Sequence, residues 1–305
     1  MKTIVIFTRN FRADALPFSN PRYFAGYQDL LMELKSAGAE AYFASGNEHY
    51  KGAGRFSEAW TSDAPRPIAD YKMTHDITAG LVLEKGGFTG TDVMVLNPPA
   101  VHAVASDKAE TYRHFSKFQP KTIVVDSETD FEAAVRSLET ELVVVKEAVS
   151  NKGQAVTIAE AEKQLLAPPG QYPVVVQEFI DTSVGIPGLA DGVHDLRVKV
   201  TGGTIIGGQV RQPAPGELRA NIALGGTSRI LGADEIPEPV RQLTREIDLF
   251  FTGQPRYYAL DFANTPSGWK LIELNSKPGL IPNSDGAEAA RQTRAIAHYL
   301  IGICP

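Results

Sequence analysis

Three side chains with oxygen atoms that could bind a cation lie near the carboxyl end of the chain, in two segments with the pattern of β-strands. Asp261 lies within the apolar segment Tyr257–Ala263. Glu273 and Asn275 lie within a second such segment, Trp269–Asn275. Because side chains alternate between the faces of a strand, a hairpin with matched apolar faces places all three on one side. Two neighbouring carboxylates repel unless a cation lies between them, and an all-oxygen set is typical of Mg2+. From the residues alone, the solvent face of an ordinary hairpin is the alternative, and the register stays open.

Basic residues occur where phosphate groups could be bound. Lys146 ends the apolar run Leu142–Lys146, and the small loop Ser150–Gly153 follows it. A lysine there can neutralise phosphate while backbone N–H groups of the loop cradle it. Arg211 and Arg219 flank a proline-containing loop, and a guanidinium group can bind a carboxylate or a phosphoryl group through two hydrogen bonds. For both sets, ordinary solvent exposure is the alternative interpretation.

Several common enzyme motifs are absent from the chain. The dinucleotide motif Gly-x-Gly-x-x-Gly does not follow the first strand, and the dipeptide Gly-Lys of the phosphate loop never occurs. The nucleophile motif Gly-x-Ser-x-Gly is also missing. These absences exclude the forms of three large enzyme classes that a sequence can reveal, but they leave other routes to nucleotide binding open.

Composition limits the partners and the compartment. The 305 residues include 30 Lys and Arg against 36 Asp and Glu, which gives a net charge of −6 without a basic run. We therefore expect no nucleic acid as a partner, because such binding depends on neutralising phosphates. No apolar stretch approaches the length of a membrane span, so no membrane partner is expected. The only cysteine is Cys304, which excludes an intrachain disulfide and favours a cytoplasmic location.

The first hundred residues alternate between strand and helix patterns. Strands are predicted at Thr3–Phe7, Ala41–Ala44 and Asp92–Leu96, with a helix between the first two that ends at Gly38. Residues 46–66, rich in Gly, Ser and Pro, are predicted to form a long loop. This alternation is typical of α/β proteins with a parallel sheet.

Strands and helices continue as far as Pro168-Pro-Gly170, and beyond it the pattern changes to strand hairpins with covering helices. The predicted strands are Thr122–Val125, Leu142–Lys146, Ala155–Ile158, Val174–Phe179, Leu196–Val200, Ile205–Val210, Tyr257–Ala263 and Trp269–Leu274. The predicted helices are Asp107–Phe118, Ala159–Leu166, Pro239–Phe251 and Asp285–Ile301. Two hairpin turns are expected, at Gly202-Gly203 and at Thr265–Gly268.

In order and spacing, these elements resemble the ATP-grasp superfamily, in particular its glutathione-synthetase-like and ribosomal-protein-glutamate-ligase-like members. The resemblance extends from about Asn97 to Gly279. The segments that carry it are Asn97-Pro-Pro99, Asp107-Lys108, Val143–Lys146, Ser150–Gly153, Val176–Asp181, His194–Arg197, Arg211, Glu217–Gly226 and the set Asp261, Glu273 and Asn275. The resemblance implies an ATP-grasp fold with an α/β N-terminal domain built on a parallel sheet (1–105), a small ATP-grasp lobe (106–176) and a C-terminal lobe (177–305).

The resemblance also implies roles for individual residues. ATP would lie between the two lobes, in contact with Lys108, Lys146, Lys152, Gly153, Gln177, Glu178, Phe179, Asp181 and Asn221. The metal ligands would be Asp261, Glu273 and Asn275, which would hold two Mg2+ ions, with Mn2+ as an alternative. Arg211 and Arg219 would stabilise charge on the transferring phosphoryl group.

The implied activity is an ATP-dependent carboxylate–amine ligase that forms an acyl phosphate, releases ADP and makes an amide. Its partners would be small-molecule or peptide carboxylate and amine substrates, and a homo-oligomer is left open. One alternative is a peptide macrocyclase of the same superfamily, which uses a side chain as nucleophile. Another is a non-catalytic ATP-binding regulatory module, against which the intact set of site residues argues.

Five features bear on the unknown substrate. Thr182–Val193 is longer than in the simplest relatives and could shape the entrance for the acceptor. Lys277 stands where related chains often have a small residue, and it either contacts a substrate carboxylate or is simply exposed. Arg9, Arg12 and Arg22 follow the first strand, at the expected ligand edge of an open parallel sheet, and are candidates for binding an anionic substrate.

Overall fold

The computed structural model describes residues 1–149, 156–161, 172–214, 216–217 and 225–305. Its first part is a six-stranded sheet in the order β5-β4-β2-β1-β7-β8, here called the N-terminal sheet. The strands of this region are β1 (Thr3–Thr8), β2 (Glu40–Ser45), β3 (Arg55–Phe56), β4 (Ala59–Thr61), β5 (Lys72–Thr74), β6 (Ile77–Thr78), β7 (Leu81–Glu84) and β8 (Met94–Leu96). Strands β2, β1, β7 and β8 run parallel, as predicted, while β4 and β5 are antiparallel additions at one edge.

The helix between β1 and β2 forms because its apolar residues recur at helical spacing. Helix α1 (Pro21–Ser36) starts after Asn20, whose side chain accepts the N–H groups of Arg22 and Tyr23, and it buries Leu30, Leu31 and Leu34 against the sheet. The prediction for the region after β2 is wrong in two respects. The region 46–66 contains β3 and β4 and is not one long loop, and the central strand β7 was not predicted.

A four-stranded antiparallel sheet, here called the small-lobe sheet, follows in the order β11-β10-β12-β9. It consists of β9 (Thr122–Val125), β10 (Leu142–Glu147), β11 (Val156–Glu160) and β12 (Val174–Glu178). Three helices precede or flank it, namely α2 (Pro99–Ser106), α3 (Lys108–Phe115) and α4 (Glu128–Ser137). The predicted helix Ala159–Leu166 is wrong at its start, because Ala159 and Glu160 pair with β10, and its remainder from 162 lies outside the described residues.

The third sheet, here called the C-terminal sheet, has five antiparallel strands in the order β15-β14-β13-β16-β17. They are β13 (Asp195–Thr201), β14 (Thr204–Gln212), β15 (Thr227–Leu231), β16 (Tyr257–Thr265) and β17 (Gly268–Asn275), and the two remaining helices are α5 (Glu238–Asp248) and α6 (Ala287–Ile303). Both predicted hairpin turns are confirmed by the pairing of β13 with β14 and of β16 with β17.

The two faces of the C-terminal sheet differ in character because its strands alternate apolar and polar residues. Leu196, Val198, Leu260 and Phe262 belong to one buried core, which also contains apolar residues of α2, α3 and α5. The opposite face carries the charged residues of β13, β14 and β16. Helix α6 packs with α1 and the N-terminal sheet in a second core, so the last helix of the chain ties the first sheet to the third. Within the described residues, no helix has the length and apolar character needed to cross a membrane.

One side chain joins the end of the N-terminal sheet to the C-terminal sheet. The Asn97 amide follows β8, and its Nδ2 donates to the carbonyl oxygens of Tyr257 and Ser276, each at 2.6 Å. Its Oδ1 accepts the N–H of Tyr257 at 2.7 Å. The backbone of Ser276 also donates to the carbonyl of Ala105 at 3.1 Å, and its hydroxyl lies 2.9 Å from Nδ1 of His102. Asn97 therefore fixes the start of β16 and the residue after β17 at the same time.

We expect Asn97→Ala to lower the free energy of unfolding by about 2–3 kcal/mol, because it leaves three backbone groups between the sheets without a partner. Asn10→Ala is the matched control, since Asn10 is only half-buried and its side chain donates one long hydrogen bond of 3.4 Å, and its cost should stay below about 0.5 kcal/mol. Urea unfolding of both variants makes the comparison. Equal stability of the two variants would show that Asn97 does not join the sheets.

Candidate active site

Four charged side chains form a buried cluster on the polar face of the C-terminal sheet, here called the charged quartet. Its members are Asp195, Arg197, Arg211 and Asp261. The strand register places Asp195 opposite Arg211 and Arg197 opposite Asp261, so all four project from the same face. Two carboxylates and two guanidinium groups balance each other in charge, which makes their burial tolerable.

The hydrogen bonds of the quartet centre on one carboxylate. Arg197 donates to both oxygens of Asp261, with distances of 2.7 Å from Nε and 2.6 Å from Nη2. Arg211 donates to both oxygens of Asp195 at 2.6 Å and, through Nη2, to Oδ2 of Asp261 at 2.8 Å. Burial alone would raise the pKa of Asp261, but the charges of the two arginines and their hydrogen bonds outweigh it and hold that pKa far below its ordinary value. Asp261 is therefore an anion under all ordinary conditions.

The predicted metal ligands lie together on this face. Asp261 pairs directly with Glu273, which settles the register that the sequence left open, and Asn275 is the next residue of β17 on the same side. Nδ2 of Asn275 donates to Oε1 of Glu273 at 3.1 Å, and Nη2 of Arg197 lies 4.0 Å from the same oxygen. The structure thus brings all three predicted ligands into one small patch at the end of the hairpin.

The donor set of this patch fits a hard cation. Two carboxylates and one amide oxygen suit Mg2+, which usually completes its coordination with water and phosphate oxygens. In Asp261, Oδ1 already accepts one hydrogen bond and Oδ2 accepts two, so a cation could share only one oxygen of this carboxylate. No group of three or more His, Cys, Asp or Glu that could hold a metal ion occurs among the described residues.

A buried lysine of the small-lobe sheet interacts electrostatically with these carboxylates. Nζ of Lys146, on β10, donates to Oε1 of Gln177 at 2.8 Å, and Nε2 of Gln177 donates to Oγ1 of Thr122 at 2.8 Å. This chain of hydrogen bonds crosses three neighbouring strands and fixes the ammonium group. Burial lowers the pKa of Lys146 to about 8, and Lys108 adds to the effect, while Glu273 and Asp261 act in the opposite direction. Lys146 therefore lies within electrostatic reach of the carboxylates on the other sheet.

Lys108 is the first residue of α3, and its backbone contacts the chain just after the end of β10. The backbone N–H of Lys108 donates to the carbonyl of Ala148 at 2.8 Å, just after β10. The side chain of Asp107 caps the helix by accepting the N–H groups of Ala109 and Glu110. The two lysines that the sequence analysis selected in the small lobe are thus neighbours, although they are 38 residues apart in the chain.

The segment predicted to contact the adenine, Val176–Asp181, begins within β12, and part of its backbone is already hydrogen-bonded to neighbouring segments. The N–H groups of Glu178 and Phe179 donate to the carbonyls of Lys121 and Leu142, at 2.9 and 3.1 Å. Asp181 is exposed, and its Oδ1 accepts the N–H of Ser183 at 2.8 Å. A backbone donor for an adenine in this segment would therefore come from a residue after Phe179.

Four further predicted site residues, Lys152, Gly153, Arg219 and Asn221, lie outside the described residues.

The features predicted to bind the substrate are only partly brought together. Arg12 pairs with Asp14 at 2.6 Å, whereas Arg22 pairs with Asp285 at 2.5 Å beside α6, so these two arginines line different cavities. Arg9 is exposed. Lys277 forms an ion pair with Glu84, the last residue of β7, and so it is neither simply exposed nor free of a partner.

The segment Thr182–Val193, predicted to shape the acceptor entrance, is packed onto the C-terminal sheet. Its Ile186 is buried in the same core as β13, and the carbonyl of Gly185 accepts Nδ2 of Asn264 at 2.9 Å. The carbonyl of Asp191 accepts Nε2 of Gln212, the neighbour of Arg211, at 2.6 Å. The segment therefore lies beside the charged quartet.

Sequence analysis did not assign roles to Asp195 and Arg197. A signal was available, because the run Asp-Leu-Arg-Val-Lys-Val places three charged residues at alternate positions of a strand whose other residues are apolar. Three charges on one face of an otherwise apolar strand require partners on the neighbouring strands or a ligand. What the sequence could not provide is the pairing itself.

A small-lobe sheet and a C-terminal sheet that follow an N-terminal sheet in this order are the architecture of an ATP-grasp protein. The model of the RimK-like ATP-grasp domain matches residues 105–295. The chain belongs to this family. It is 30% identical over 241 residues to a probable alpha-L-glutamate ligase of Xanthomonas oryzae pv. oryzae, covering 76% of this chain and 74% of that protein. It is 29% identical to a probable alpha-L-glutamate ligase of Psychromonas ingrahamii, over 56% of this chain, and it spans only 53% of the length of that relative.

Solved structures agree on the fold. The D-alanyl-alanine synthetase A of Vibrio cholerae superposes over 98% of both chains with a TM-score of 0.63 at 13% identity. A RiPP-associated ATP-grasp ligase of Chryseobacterium gregarium, solved with ADP and a leader and core peptide, superposes over 100% of this chain and 98% of its own with a TM-score of 0.62 at 15% identity. The predicted ATP-grasp fold is confirmed.

We expect Arg197→Met to lower the free energy of unfolding by about 3–5 kcal/mol, because it removes two of the three hydrogen bonds of a buried carboxylate. The double variant Arg197→Met/Asp261→Leu should recover most of that loss, because it leaves the balanced pair of Arg211 and Asp195. Urea unfolding of the single and double variants measures the difference. If the double variant were less stable than Arg197→Met alone, the quartet would not be a set of compensating charges.

Proposed function

We propose that this chain is an ATP-dependent carboxylate–amine ligase that forms an amide bond and releases ADP and phosphate. The observation that carries the proposal is the arrangement of charged side chains on the small-lobe sheet and the C-terminal sheet. The buried ammonium of Lys146 lies within electrostatic reach of Asp261 and Glu273, and Arg211 adjoins them. Membership of the RimK-like family and the names of its relatives support an amide-forming reaction.

The proposed reaction has two steps. A carboxylate oxygen of the first substrate attacks the γ-phosphorus of ATP, the bond from that phosphorus to the β–γ bridging oxygen breaks, and an acyl phosphate and ADP result. The amine nitrogen of the second substrate then attacks the acyl carbon, and the carbon–oxygen bond to the phosphate breaks. Starting from a carboxylate and an ammonium ion, the products are the amide, ADP, phosphate and one proton.

The residues of the cleft have distinct tasks in this proposal. Lys146, with Lys108 and the predicted residues Lys152, Gly153 and Asn221, binds the phosphates, and Gln177 through Asp181 surround the base. Arg211, joined by Arg219, faces the group in transfer. Because Arg211 is already held by two carboxylates, its guanidinium does not need to reorganise when charge develops. Bound Mg2+, held by Asp261, Glu273 and Asn275, would neutralise charge on the phosphates.

Further parts of the proposal rest on the family and the sequence. We propose two Mg2+ ions, with Mn2+ as an alternative, because two carboxylates and an amide provide enough oxygen atoms for shared coordination. We propose a division into residues 1–105, 106–176 and 177–305, which is supported by the order of the three large sheets, although β12 (Val174–Glu178) of the small-lobe sheet extends two residues past the second boundary. A cytoplasmic location is supported by the single buried cysteine. The substrates are proposed to be amino acids, peptides or protein side chains.

Release of ADP from Mg2+-ATP in the presence of pooled L-amino acids and short peptides tests the ligase. We expect release that depends on a carboxylate and an amine together. Glu273→Gln should abolish it while leaving the unfolding temperature nearly unchanged, because the amide keeps the shape but loses the charge that binds the cation. Glu238→Gln is the matched control, since Glu238 is exposed on α5, and its rate should equal that of the wild type. Tight binding of Mg2+-ATP without ADP release in any pool would contradict the ligase and favour a regulatory module.

Binding of ATP should weaken as the pH rises through about 8, because Lys146 then loses its proton in the free protein. The pKa of this base is lowered, so the positive charge that attracts phosphate is complete below pH 8 and is lost above it. The dissociation constant should rise by up to about tenfold per pH unit. In Lys146→Met, binding should be weak and nearly independent of pH between neutral and alkaline values. Titration with a fluorescent ATP analogue measures both profiles, and Lys117→Met, at an exposed lysine, should behave as the wild type. A flat profile in the wild type would contradict the role of Lys146.

A further inference from the structure

A row of three buried polar side chains crosses the small-lobe sheet on the face that does not pack on α4. Gln177 on β12 lies opposite Thr122 on β9 and opposite Val144 on β10, and Lys146 is the next residue of β10 on that face. Thr122, Gln177 and Lys146 are 4%, 3% and 7% exposed. The row therefore runs from the edge strand β9 to the lysine that we propose binds phosphate.

The surroundings of this row are apolar. Val124 and Val175 share its face and pack with Ala109 of α3 and with Ala148. A buried polar side chain costs stability unless it is hydrogen-bonded, and a valine would fill the space of a threonine in a strand. A hydroxyl group and an amide on this face therefore indicate a role beyond packing.

The hydrogen bonds of the row have only one direction that satisfies every group. Oγ1 of Thr122 donates to the carbonyl of Pro120 at 2.8 Å, and a carbonyl oxygen can only accept. Because the single hydrogen of the hydroxyl is used there, Oγ1 can only accept from Gln177, whose Nε2 donates to it at 2.8 Å. Oε1 of the same amide then faces Lys146 and accepts from Nζ at 2.8 Å. The carbonyl of Pro120 thus determines which end of the amide meets the ammonium group.

We infer that Thr122 is a positioning residue for the binding of ATP, although it lies two strands away from Lys146. It holds the amide of Gln177 with the oxygen against the ammonium group, so that Lys146 keeps its place and its charge. An amide turned the other way would present N–H groups to that charge. Burial lowers the pKa of Lys146 to about 8, and a hydrogen-bond acceptor at Nζ opposes this loss of the charged form. The inference rests on the proposed ATP-dependent activity and adds a residue that acts through another.

Thr122→Val tests the inference because it keeps the shape of the side chain and removes the hydroxyl. Nε2 of Gln177 then loses its acceptor, and the amide loses its fixed orientation. We expect the dissociation constant of a non-hydrolysable Mg2+-ATP analogue to rise by about five- to tenfold, as for the loss of a hydrogen bond to a charged group. Thr122→Ser keeps the hydroxyl and should bind within about twofold of the wild type. Thr157→Val is the matched control, since Thr157 is exposed on β11 of the same sheet, and it should bind as the wild type does.

Adenosine distinguishes a positioning role from a structural one. It carries no phosphate, so a defect confined to Lys146 leaves its binding unchanged, whereas a distorted small lobe weakens the binding of both ligands. We therefore expect Thr122→Val to bind adenosine as the wild type does. Calorimetric titration of each variant with both ligands makes the comparison. An equal loss of affinity for adenosine and for the ATP analogue would overturn the inference.

The double variant Thr122→Val/Gln177→Leu shows whether Thr122 acts through the amide. If it does, Gln177→Leu alone already removes the contribution of Thr122, and the double variant should bind the ATP analogue as weakly as Gln177→Leu does. This comparison holds even if Thr122→Val fails to fold, because the double variant leaves no amide without an acceptor. A further loss of affinity in the double variant, or the affinity of the wild type in either protein, would contradict the role of Thr122.

ADP release separates this inference from the proposed function. Weak binding by Lys146→Met together with wild-type binding by Thr122→Val would overturn the inference and leave the proposed ATP site in place. The expected pattern of binding without ADP release in any substrate pool would support the positioning role and contradict the ligase. A wild-type protein that does not bind the ATP analogue would contradict both.

Discussion

The buried carboxylate of Asp261 sets the constraint on which the C-terminal lobe depends. It accepts three hydrogen bonds from two arginines on two strands, and Arg211 is held in turn by Asp195. Shifting β13 or β14 by one residue would turn these charges into the apolar core, where each would be unpaired. The quartet therefore fixes the register of three strands. The same carboxylate also faces the patch with Glu273, so one interaction determines both the pairing of the sheet and the position of the candidate metal ligands.

Other elements of the chain contact the C-terminal sheet on both of its faces. The apolar face of the C-terminal sheet is covered by α2, α3 and α5, which leaves the polar face for the cleft. On that face, the small-lobe sheet contributes Lys146. Hydrogen bonds from Lys146 to Gln177 and from Gln177 to Thr122 hold its ammonium group in place. Asn97 anchors the end of β17 to the N-terminal sheet. The three sheets thus meet at the residues between Tyr257 and Lys277.

Local periodicity predicted the parts of the site that lie on long strands. The alternation in β16 and β17 was enough to place Asp261, Glu273 and Asn275 on one face, and the turns between the long strands were correct. It failed for β7, because four buried residues in succession show no alternation, and for Ala159, whose strand is defined by its pairing with β10. It also could not pair Glu84 with Lys277, since 193 residues separate them and only the folded chain brings them together. Resemblance to a family supplied the cofactor and the reaction, which no periodicity contains.

The charged side chains on the polar face are of two kinds, those that form ion pairs with one another and those that form none. In the charged quartet, each guanidinium group is paired with a carboxylate, so its charges are balanced without a bound ion. The quartet therefore serves to hold the strands and the candidate metal ligands in position. Beside it, Lys277 is paired with Glu84, whereas Lys85 after β7 and Lys199 on β13 form no ion pair among the described residues. A net charge of −6 hides this local excess of basic residues, since most acidic residues of the chain lie elsewhere. Burial without an ion pair lowers the pKa values of Lys85 and Lys199 to about 7, so these two lysines lose their charge far more easily than an exposed lysine does.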